Sequence, residues 1–264
     1  MEFSEAFSPV RALRCGIAAV GRAPLALLLG AVVLLFADLT GSCASSINPA
    51  SIPQEGQSEI PPAALMAAVL LVAVLVGLFV FVVRCWITTG WLRLHRQVLV
   101  EGGTRTGTLF AGADALGRMM GWRVLATLIT LGTTFAAAMP GILVMVLGRG
   151  QDWGASAGGI VAALGVVPAS IFVGSGLLLG DRTVALEGLG PMAALERSWE
   201  LARGHRWRLI GFYVVTAIFE ALGLLACGVG VIFTRAASET AMTDAFLNAT
   251  GVRTNTPAEP TGSP

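Results

Sequence analysis

The sequence predicts an all-α membrane protein: a polytopic bundle of five transmembrane helices with a candidate sixth, an internal parallel repeat and two interfacial cytoplasmic helices. Three observations carry this. Of 264 residues, 55% are hydrophobic and 12% charged, about half the charged share of a soluble domain, and the mean hydropathy is +0.78. Five stretches are long and apolar enough to match a hydrocarbon core of about 30 Å. The 17 basic residues, all Arg, concentrate in alternate connections.

In chain order, an N-terminal segment with Arg11, Arg14 and Arg22 leads into a first span at 23–39. Residues 40–62, rich in Ser, Gln, Pro and Gly, read as a disordered outer loop with Cys43 as an ordinary thiol. A secretory or lipoprotein signal ending there fits poorly, because Asp38 interrupts the apolar run. The second span, 63–83, contains no charged or strongly polar side chain. The third and fourth are 124–147 and 157–179, and the fifth, 209–226, carries one acid, Glu220.

Segment 227–249 differs, because Arg235, Glu239 and Asp244 would cost on the order of +7 to +10 kcal/mol if exposed to lipid. Two readings stay open. The segment crosses inside the bundle, with Arg235 and Glu239 neutralising each other four residues apart, or it lies on the surface as an amphipathic helix. The tail at 251–264 reads as disordered.

Arginine placement sets the orientation. Arg84, Arg93, Arg96, Arg105, Arg118 and Arg123 follow the second span, and Arg182, Arg197, Arg203, Arg206 and Arg208 follow the fourth, whereas 40–62 has no basic residue. The N-terminus is therefore expected on the cytoplasmic side. Trp86, Trp91, Trp122 and Trp207 fall at the inner boundary and Trp153 at the outer one, as headgroup anchors.

The two arginine-rich segments share a plan. Val98-Leu99-Val100-Glu101-Gly102 leads to a short helix and then Gly121-Trp122-Arg123; Val184-Ala185-Leu186-Glu187-Gly188 leads to a helix and then Arg206-Trp207-Arg208. A span, surface helix, span unit is thus duplicated in the same orientation. The second surface helix is expected to begin at Pro191, to present Met192, Leu195, Trp199 and Ala202 as an apolar stripe, and to end at Gly204. The first has its stripe at Leu109, Ala113, Leu116 and Met120, an Asp114–Arg118 pair, and a stop at Gly121.

The stretch from Leu186-Glu187-Gly188-Leu189-Gly190-Pro191 through Glu196-Arg197-Ser198-Trp199 to Arg203-Gly204-His205-Arg206-Trp207-Arg208, with the Cys227-Gly228-Val229-Gly230 turn, resembles a bacterial membrane-protein family. That family is itself similar to the membrane domain found beside glycerophosphoryl diester phosphodiesterases. The resemblance implies a six-helix bundle in a bacterial cytoplasmic membrane, with the glycine turn joining the fifth and sixth spans. It does not imply phosphodiesterase chemistry, because His95-Arg96 and His205-Arg206 have no neighbouring acidic ligands and read as interfacial cations.

Glu220 and Arg235 are the intramembrane candidates, since a carboxylate in an apolar span usually faces a bundle interior or water. Glu220 is expected to be paired with Arg235, or bonded to Thr216 or a backbone carbonyl. Arg197, Arg203, Arg206 and Arg208, with Trp199, Trp207, Trp122 and Arg123, are the lipid and interface candidates. Pro140 and Pro168 interrupt or bend spans three and four, and Gly176 and Gly180 allow close helix contact. The four cysteines form no CxxC pair, and no nucleophile with a base, phosphate loop or metal cluster appears. The expectation is a non-enzymatic structural or accessory subunit that binds membrane lipids or other membrane proteins, without cofactor, metal or nucleic acid. The alternative is a transporter or channel component using Glu220 and the proline-bent helices.

Overall fold

The computed structural model describes residues 8–45, 62–103, 105–149, 151, 153–225, 230–252 and 254. Every regular element among them is helical: α1 Pro9–Arg22, α2 Pro24–Ser45, α3 Pro62–Glu101, α4 Leu116–Leu147, α5 Gly154–Leu177, α6 Gly180–Leu186, α7 Pro191–Ala202, α8 Arg206–Leu225 and α9 Gly230–Ala249. Four helical stretches are long and apolar enough to cross a membrane, and a fifth if the bent α1–α2 pair is one span.

The bend has a local cause. Pro24 drives the residue before it out of the helical region, and Ala23 sits at φ −139°, so α1 and α2 meet at 108°. α2 then runs to Ser45, into the segment expected to be loop. The remainder of that loop, residues 226–229 of the glycine turn and nearly all of the tail lie outside the described residues. The tail's first residues fold back on α9, where Thr254 donates to Asp244 Oδ1 at 2.8 Å.

α3 has 40 residues, about 60 Å at the helical rise and about twice a hydrocarbon core. Its second half is therefore free to build a protein interior. Ile87, Trp91, Leu94, Val98 and Leu99 are buried there, together with one face of α1, the start of α2 and most of α9. The arginine-bearing ends of α3 and α4 and the C-terminal end of α5 gather around α6 and α7, and α8 packs on α5. Away from that end, α4 and α5 form a close hairpin in which Gly141 lies against Gly158 and Ala162, small residues letting backbones approach. Pro140 and Pro168 sit inside α4 and α5, and both helices continue through them.

α9 is not among the helices long and apolar enough to cross a membrane on their own, and its side chains are packed inside the protein. From Thr240 to Leu247 every residue is buried, enclosed by α1, α2, α3 and α8. It is an interior helix and not an amphipathic one on the surface. Its insertion cost assumed side chains facing lipid, whereas here they face protein.

The first interfacial helix also needs correcting. Residues Thr106–Phe110 and Ala113–Ala115 are 3₁₀ turns, and α4 starts at Leu116 and passes through Gly121 without stopping. The Asp114–Arg118 pair does form, at 4.0 Å. The stronger partner is Arg93, which donates to both Asp114 oxygens at 2.6 and 2.8 Å and holds that carboxyl below its ordinary value. At the ends of α3 and α6 a Glu, Glu101 or Glu187, is followed by a glycine at φ 71°, Gly102 or Gly188. That backbone conformation favours glycine at a helix end.

Candidate functional site

Two polar arrangements stand out, one inside the bundle and one at the arginine-rich end. The interior one is organised by α9. Glu220 of α8 faces Arg235, Ser238 and Glu239 of α9, so the structure brings together the two intramembrane candidates. Thr216 is not the partner, because its hydroxyl donates to the Tyr213 carbonyl at 2.9 Å. Glu239 in turn accepts from Arg182 at 2.5 Å, and Arg182 is 6% exposed against 34% for Glu239. Glu220, Arg235, Glu239 and Arg182 thus form one cluster of charges at the junction of α6, α8 and α9.

Near Arg182 lies a residue that sequence reasoning misplaced. His95 is not an interfacial cation: it is fully buried, with the Trp91 ring tilted against it at 4.7 Å between ring centroids. The Thr240 hydroxyl lies 2.7 Å from the Ala236 carbonyl and 2.8 Å from His95 Nδ1. Four buried polar atoms have no partner among the described residues: His95 Nε2, Arg182 Nε, Ser238 Oγ and Trp91 Nε1. Although Glu220 faces Ser238, that hydroxyl makes no hydrogen bond of normal geometry. All four orphaned atoms belong to α3, α6 and α9, and such groups are costly unless water or a ligand reaches them.

At the arginine-rich end the glycines act differently from expectation. Gly176 and Gly180 receive tryptophan rings in place of another helix backbone. A Cβ at Gly180 would fall inside the Trp122 ring, and one at Gly176 would collide with Trp199. Trp122 is 1% exposed, a core residue and not a headgroup anchor. Its indole donates to Asp181 Oδ1 at 2.9 Å, and Arg123 pairs with Asp181 Oδ2 at 2.6 Å. Asp181 thus pins α4 to α6, a role the sequence signalled only by an acid directly after a span.

α7 begins at Pro191 as expected, and Gly204 at φ 81° follows its end. Its buried face is Ala194, Ser198, Leu201 and Ala202, so the expected stripe is rotated: Met192 is 63% exposed. Ser198 donates to the Gly176 carbonyl at 2.6 Å, fixing α7 on α5. Trp199 meets Phe172 edge-on at 5.9 Å, and the Arg206 guanidinium lies 3.8 Å over Phe172 and 4.3 Å from Trp199. Arg197 is held by Glu187 at 3.6 Å and Glu200 at 3.0 Å. Of the eight lipid and interface candidates, Arg203, Trp207 and Arg208 remain exposed; the others are bound up in the fold. A groove of about 800 Å³ opens between α4 and α7, lined by Ile129, Leu195, Glu196, Trp199 and Arg203 among others.

These features define an all-helical protein whose long apolar helices are compatible with a membrane and whose arginine-rich end is tied together by internal ion pairs. The chain belongs to the family described as Domain of unknown function (DUF7847), which matches residues 9–254. No curated protein and no solved structure matches it. The match carries no link to glycerophosphoryl diester phosphodiesterases.

Proposed function

We propose that this protein is a non-enzymatic accessory subunit of a bacterial cytoplasmic membrane, N-terminus inside, that binds lipids and another membrane protein. One observation carries the reading. Leu70, Leu71, Val72, Val74, Leu75 and Val76 of α3 are all between 49% and 68% exposed. Successive residues point about 100° apart around a helix, so this stretch is uncovered on every side. Within a bilayer such a helix is solvated by acyl chains or by a partner's helix. The α4–α7 groove adds a place where an amphiphile fits.

The half-buried charges Glu220, Arg235 and Glu239 beside the buried Arg182 favour a second reading, a component that moves protons or small solutes, because ionisable groups inside membranes commonly mark such paths.

A photo-crosslinking residue at Leu75 separates the two. The accessory reading expects a discrete protein adduct on gels after irradiation in intact membranes, together with lipid adducts. Adducts to lipid alone, combined with solute flux in liposomes that Glu220→Gln abolishes, would replace it with the transport reading.

A further inference from the structure

The groove between α4 and α7 has an apolar wall of Ile129, Leu189 and Leu195 and a charged one on α7. Its charges balance, since Glu196 and Glu200 stand beside Arg197 and Arg203. Arg197 is already engaged by Glu187 and Glu200. Glu196 and Arg203 are exposed, and neither forms an ion pair among the described residues. They lie seven positions apart, Glu196 within α7 and Arg203 directly after its last residue, and both line the groove.

An anionic headgroup would gain Arg203 but meet the uncompensated Glu196. A headgroup carrying both signs meets a partner at each. We propose that the groove binds a zwitterionic glycerophospholipid with a primary ammonium, its phosphate on Arg203, its ammonium on Glu196 and an acyl chain along Ile129 and Leu195. A trimethylammonium headgroup fits less well for two reasons. It has no N–H to donate to Glu196, and the ring that would cradle it, Trp199, already has the Arg206 guanidinium 4.3 Å from its centre.

This assignment rests on the lipid-binding part of the function proposed above. The test is native mass spectrometry of the full chain in mild detergent with equal amounts of phosphatidylethanolamine, phosphatidylcholine and phosphatidylglycerol. Wild type is expected to retain the ethanolamine lipid about fivefold over each of the others, the ratio that one headgroup charge contact yields. Glu196→Gln should erase the preference over phosphatidylcholine, whereas Arg203→Gln should lower retention of both zwitterionic lipids together. Both residues are on the surface, and unchanged thermal unfolding of each variant confirms its fold. Phosphatidylglycerol retained above phosphatidylethanolamine, or a preference that survives Glu196→Gln, overturns the headgroup assignment and leaves lipid binding standing. Retention of none of the three overturns both.

Discussion

Trp122→Ala is expected to lower the unfolding free energy by about 3–5 kcal/mol, the usual cost of emptying a fully buried aromatic site. The ring is 1% exposed and fills the space left by the missing side chain of Gly180. Its loss opens a cavity that the helical backbone of α6 cannot close. It also takes from Asp181 one of its two donors, leaving Arg123 alone to satisfy the carboxylate. Gly180→Ala should reach a similar end from the other side, because the new methyl displaces the ring. Unfolding in detergent followed by tryptophan fluorescence or far-UV circular dichroism measures both. A change below about 1 kcal/mol in both variants, the size of an ordinary surface substitution, would show that Trp122 is not seated there.

The second large effect concerns Arg182. Replacing it with Met leaves Glu239 facing Glu220 across the α8–α9 contact with Arg235 as the remaining cation. Breaking a buried pair from one side typically costs about 3–5 kcal/mol, and removing both charges restores much of it. Because Glu239 is 34% exposed, the expected loss is at the lower end, about 3 kcal/mol. The double variant Arg182→Met with Glu239→Gln should recover more than half. A double-mutant cycle without coupling would mean that the two side chains do not meet.

Much of the bundle was legible because lipid leaves a strong mark on sequence. The apolar stretch 63–83, the arginine-rich connections and the Pro191 start of α7 are all where they were expected, since each follows from a local rule. What was lost lay in pairings between distant segments. Trp122 reads as an interfacial anchor until Gly180 provides its socket, and nothing near either residue announces the other. His95 beside Arg96 reads as a rim cation, yet α3 continues well past the length of a membrane core and carries His95 into an interior closed by α9. For α9 itself, the transfer cost of Arg235, Glu239 and Asp244 was sound for a lone helix in lipid, and what the sequence did not announce is the enclosure by α1, α2, α3 and α8. The rim arginines illustrate the same limit. Their bias toward one end was visible, but not that Asp181, Glu187 and Glu239 occupy three of them.

Side-specific thiol labelling tests the central claim most directly, namely that the chain threads a membrane with its arginine-rich connections on the inner face. In a chain cleared of its own four cysteines, single cysteines replace Gln57 and Arg105, and a membrane-impermeant maleimide is added to intact cells. The account predicts labelling of Gln57→Cys alone until the membrane is opened. Equal labelling of both positions from outside would contradict it.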